Sequence, residues 1–185
     1  IRRLMIPSLN MNYISPSRWS KVIKRELLEK NLFFTDNSIT SGEDVNSMVP
    51  CLLNCKSFYY LDEPLYFYVK RKTSISFVFD RSILDSYSIL IECVRKSVLF
   101  NNLNLTKEVD NLYNLYGLLW TFYVARSKLL YKEKRKELLR IVKNTVYVDN
   151  AKNIKKCGLT FFMYKMLFYK MPFFIFEIFY KVKFK

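Results

Sequence analysis

Histidine is absent from all 185 residues. That removes the commonest general base and the commonest metal ligand, so any proton transfer falls to Asp, Glu, Lys, Tyr or Cys. Glycine (3) and proline (5) are scarce, which excludes a loop-rich or fibrous chain. Low hydrophobicity, the mark of disorder, is missing too, since 51% of the residues are apolar. The four cysteines, Cys51, Cys55, Cys93 and Cys157, lack the neighbouring ligands that a zinc site needs and read as small buried hydrophobes of a reducing cytosol. No long apolar run occurs. Lys165, Lys170, Pro172 and Glu177 interrupt every window of about 20 residues near the C-terminus, so a transmembrane helix is not expected there. With Ile1 and not Met at its start, the chain is expected to be a cut or truncation, with no signal peptide expected before the fold.

What the chain has in excess is positive charge. Its 31 Lys and Arg outweigh 16 Asp and Glu, for a net +15. Such an excess favours an anionic partner. The bias is concentrated in residues 151–185, which hold 8 Lys against the single acid Glu177, and 11 of the 32 aromatic residues. Aromatics framed by lysines suit a segment lying in the headgroup plane of a membrane, with the lysines reaching to phosphates. Nucleic acid is not expected, because no nucleic-acid module is visible and the aromatics follow apolar faces instead of mixing with Arg.

Periodicity predicts a mainly helical chain. A short amphipathic helix is expected over Arg18–Asn31, and another over Val45–Cys55 with the pair Glu43 and Asp44 at its N-terminus, where the backbone dipole favours negative charge. Lys56–Leu61 and Leu65–Val69 are aromatic and read as two short strands around the turn Asp62-Glu63-Pro64. Beyond an N-cap at Asp80 everything reads helical, with a break at Asn101–Asn104, a cap at Thr106 and a short basic helix over Glu133–Lys143.

Three segments then stand out in order: Trp19-Ser20-Lys21 followed by Lys24-Arg25-Glu26-Leu27-Leu28; Gly42-Glu43-Asp44; and Asp62-Glu63-Pro64-Leu65-Tyr66-Phe67-Tyr68 closing with Ser74-Ile75-Ser76. Together, over residues 15–78, they resemble the C-terminal half of bacterial family-2 glycosyltransferases that build surface polysaccharides. The resemblance implies an α+β fold, predominantly helical: the acceptor-side half of a GT-A domain (1–78) with two or three short strands, a helical extension (79–150) and a basic aromatic membrane-surface segment (151–185). It implies that Asp44 is the catalytic base that deprotonates an acceptor hydroxyl, and that Glu43 orients the acceptor or acts on Asp44 by like-charge repulsion. Trp19 and Lys21 would line the acceptor side, with Trp19 reading as a core anchor before it reads as a sugar platform. Family members often carry Arg directly after the aromatic pair, where this chain has Val69, so Arg71 is the candidate contact to the leaving diphosphate.

The donor site of such enzymes needs an Asp-x-Asp motif that holds Mg or Mn against a nucleotide sugar, and no D-x-D occurs here. No cofactor is therefore expected in this chain. The nucleotide-sugar donor would bind through the missing half, leaving the chain inactive alone. The expected partners are that donor, a glycan or lipid-linked acceptor and an anionic membrane surface, which places the protein in the cytoplasm at the inner face of the membrane. The competing reading is a non-catalytic basic helical protein that binds an anionic membrane surface.

Overall fold

The structure, a computed structural model, describes residues 17–67, 69, 79–154 and 158–183. They form eight α-helices: α1 (Arg25–Asn31), α2 (Glu43–Asn54), α3 (Ile83–Phe100), α4 (Thr106–Arg126), α5 (Tyr131–Val142), α6 (Thr145–Lys152), α7 (Leu159–Phe168) and α8 (Phe173–Lys183). The chain divides into two compact units, Ile1–Leu112 and Tyr113–Lys185.

No strand forms among the described residues. This corrects the α+β expectation. The described residues of the aromatic segments, 56–61, 65–67 and 69, form no strand, and Phe58, Tyr59, Tyr60, Leu61, Leu65, Tyr66 and Phe67 are all exposed. The reason is physical. Strand preference of aromatic residues reflects packing on a pleated surface, and no sheet lies beside them here. Consecutive aromatics also lack the period of two that would bury one face. Between the two segments Leu65 N donates to Glu63 O at 2.9 Å in a tight turn.

In the first unit α2 packs on α1 and α3. Met48, Val49, Cys51 and Leu52 of α2 and Leu84, Leu90, Ile91, Val94 and Val98 of α3 are buried, which gives each helix an apolar stripe at three-and-four spacing. Buried Asn46 ties down the entry to α2: its Nδ2 donates to Asp36 O at 2.9 Å and its Oδ1 accepts from Asp36 N at 3.3 Å. The helix expected from Arg18 starts only at Arg25, because Lys24 is extended (φ −60°, ψ 131°) and Arg18–Lys21 closes as a turn. Asp80 is not the N-cap of α3. It accepts from Ser82 N at 2.8 Å, one turn ahead of the helix start at Ile83.

The second unit contains most of α4 and the four helices after it. Trp120, Val124, Ile141, Tyr147, Tyr164 and Phe176 form its interior. Trp120 Nε1 donates to Glu137 O at 3.3 Å, and Arg140 lies over the Trp120 ring. Gly117 on α4 lets Tyr164 approach closely: an added Cβ would stand 2.1 Å from the Tyr164 hydroxyl. Lys134 of α5 and Glu177 of α8 form a largely buried ion pair at 2.7 Å, and Lys134 also donates to Ala125 O at 2.8 Å. The basic aromatic tail thus folds into two helices whose inner faces are core, separated by a turn in which Lys170 has φ 65°. No helix among the described residues is long and apolar enough to cross a membrane.

Candidate functional site

Asp44 lies in the first turn of α2. The residue before the helix, Gly42, is left-handed (φ 91°), and a Cβ there would meet Leu90 Cδ2 at 2.7 Å. Only glycine satisfies both conditions. Gly42 thereby lets the start of α2 sit tight against α3 and fixes where Glu43 and Asp44 emerge.

The N-cap, Gly42, has no side chain with which to close the helix start. Arg18 reaches the Asp44 carboxylate, donating from Nε to Oδ1 at 2.8 Å. The guanidinium also reaches Glu43, with Nη2 at 4.0 Å from Oε1. This fork spans 26 positions of sequence and brings the first and second motifs together. The Asp44 side chain is 31% exposed and that of Arg18 54%, so the pair is open to an incoming molecule.

Lys21 belongs to the same cluster. Its Nζ donates to Ser17 O at 2.9 Å and to Ser20 Oγ at 3.1 Å. Partial burial pushes its ammonium below the ordinary lysine value, and the Asp44 carboxylate pulls it partly back. The third motif joins through an aromatic stack. The Trp19 and Tyr66 rings lie 5.0 Å apart at 27°, and Trp19 is 47% exposed. Trp19 is therefore half-exposed at the surface and not the core anchor that its size suggested. Arg71 lies outside the described residues, as do Tyr68 and Ser74-Ile75-Ser76.

Of the residues singled out by sequence, Glu43 and Asp44 are thus linked through Arg18 to the segment that carries Trp19 and Lys21. Arg18 and Tyr66 complete the cluster without having been assigned roles. Arg18 had a weak signal, its place next to Trp19 in the first motif. Chemically, the cluster offers a carboxylate that can accept a proton or a hydroxyl hydrogen bond, two cations and a flat aromatic face. Among the described residues no group of three or more His, Cys, Asp or Glu could hold a metal ion.

No family model, curated protein or solved structure matches the chain.

Proposed function

We propose that this chain is the acceptor-side part of a glycosyltransferase, in which Asp44 takes the proton from an acceptor hydroxyl as the oxygen attacks the anomeric carbon of a nucleotide sugar. The observation that carries the reading is the convergence of the three motifs: Arg18 on Asp44 at 2.8 Å and Trp19 on Tyr66 at 5.0 Å. A general base must come within hydrogen-bond reach of its proton, and the open Arg18–Asp44 pair leaves room for that. Arg18 fixes the carboxylate's position. The Trp19–Tyr66 face lies one residue along the chain from Arg18 and offers an apolar surface to the flat side of a sugar ring. The nucleotide-sugar donor and its Mg or Mn would be bound by polypeptide beyond this sequence. A displacement needs its leaving diphosphate neutralised, so the chain alone binds acceptor without turning it over.

The test is a titration with surface-polysaccharide oligosaccharides, followed by the indole N–H resonances of the two tryptophans. Trp120 is fully buried and serves as an internal control. The proposal expects the Trp19 signal to move saturably while that of Trp120 stays still, and expects Trp19→Ala to weaken binding. Panels of neutral and lipid-linked glycans that leave both indoles unmoved would overturn it.

A further inference from the structure

The two units differ sharply in charge. Residues 113–185 carry 16 Lys and Arg against 4 Asp and Glu, whereas the first 112 carry 15 against 12. The second unit therefore carries +12 of the protein's net +15. Its last helix, α8, is apolar on two sides. The inner side is used: Phe176 lies 5.8 Å from the Phe122 ring and Phe173 6.2 Å from that of Tyr131. The outer side carries Phe174, Ile175, Ile178 and Val182, at the three-, four- and seven-residue spacings of a single stripe, and all four are exposed. Phe174 is 50%, Ile178 57% and Val182 78% exposed. The fold does not need these side chains for its core. Lysines bracket the stripe: Lys170 in the turn before α8, and the exposed Lys181 near its end.

We infer that the outer stripe of α8 inserts into the interfacial zone of an anionic lipid bilayer, with the basic second unit held against the headgroups. Three arguments select this occupant. An 11-residue helix is about 16 Å long, about half of the hydrocarbon thickness of about 30 Å, so it lies in the plane and does not span. Its composition, large apolar side chains outward with flanking lysines, matches that of helices that bury one face at the headgroup boundary. The charge of the unit complements anionic lipid and opposes a second copy of the same surface, which would bring two strongly positive units together. The inference does not depend on the glycosyltransferase reading, and Asp44 plays no part in it.

The experiment uses the whole chain in vesicle flotation with phosphatidylcholine alone and with phosphatidylcholine containing 30% phosphatidylglycerol. Phe174→Ser/Ile178→Ser is compared with wild type, circular dichroism verifying the fold. Because both side chains are outward, the variant should fold normally and bind the anionic vesicles at least about tenfold more weakly. Neutral vesicles should bind weakly, and 0.5 M salt should reduce but not abolish binding of the wild type. Asp44→Asn should float like wild type, which separates this inference from the acceptor site. Equal flotation of variant and wild type would overturn it. So would tighter binding to an oligonucleotide than to anionic vesicles at the same salt, or a wild-type dimer in sedimentation that the serine variant dissolves.

Discussion

Replacing Gly117 by alanine should destabilise the protein, although the same change in an ordinary helix interior gains about 1 kcal/mol. The new methyl would stand 2.1 Å from the Tyr164 hydroxyl, 3.0 Å from Tyr164 Cζ and 3.1 Å from Tyr147 Cδ1. Both tyrosine side chains are buried and cannot swing aside. Overpacking of this kind costs about 1–3 kcal/mol, and the severity of the contact places it at the upper end. Subtracting the propensity gain leaves about 1–2 kcal/mol of net loss, or about 2–8 °C in Tm for a chain of this size. Tyr164→Phe should act in the opposite sense. Its hydroxyl is buried and accepts or donates no hydrogen bond among the described residues, so removing it relieves an unmet desolvation cost of about 1–3 kcal/mol. With the oxygen gone, the Gly117→Ala methyl meets only atoms at 3.0 Å and beyond, and the double variant should recover most of the loss. Urea unfolding of the four proteins, followed by circular dichroism at 222 nm, measures the coupling. Additive effects, or a Gly117→Ala variant more stable than wild type, would refute the packing argument.

Other perturbations follow from the same geometry. Gly42→Ala forces a methyl into a left-handed backbone and against buried Leu90; the expected loss is about 2–4 kcal/mol, read in the same urea assay. Lys134→Met strands Glu177, and the cost should be about 3 kcal/mol, the lower end for a broken buried pair, because Lys181 remains 4.0 Å from the same carboxylate oxygen. Lys134→Met/Glu177→Leu should restore much of it. Burial raises the Tyr164 hydroxyl well above the ordinary value of 10.0. The unfolded chain therefore ionises first, so stability is unaffected by this titration below about pH 10 and falls as pH rises further, by up to about 1.4 kcal/mol per unit. Urea midpoints from pH 9 to 11 should fall less steeply in Tyr164→Phe.

Much of the helical architecture is legible in the sequence because it depends on neighbours within a few turns. Ile83 through Val94 and Val109 through Tyr123 repeat at three and four, and the observed α3 and α4 cover them. Gly42-Glu43-Asp44 marks a helix start because glycine and acids suit that place locally. The failures concern distant partners. Lys56–Leu61 and Leu65–Val69 read as strands only on the assumption of a sheet to pair with, and no strand forms among the described residues. Arg18 could not be assigned to Asp44 from sequence, since 26 residues separate them and only the turn at Arg18–Lys21 aims the guanidinium. Trp19 looked like core because of its size, yet it stacks on Tyr66 at the surface. The buried Lys134 gave no signal among the four other basic residues of the same helix, because its burial is set by Ala125 and Glu177, nine and 43 positions away.

The central claim is that the Asp44 carboxylate removes a proton from an acceptor alcohol, and Asp44→Asn tests it most directly. The Arg18–Asp44 pair is half open to solvent, so its loss should cost no more than about 1 kcal/mol of stability, while loss of a general base should lower sugar transfer by about 10²–10⁴-fold. The measurement is the transfer rate of the proposed glycosyltransferase, assembled with its proposed donor-binding half and carrying Asp44→Asn, with acceptor binding recorded from the Trp19 indole resonance. The account predicts a folded variant that still binds acceptor and transfers sugar at a rate reduced a hundredfold or more. Transfer at the wild-type rate would contradict it.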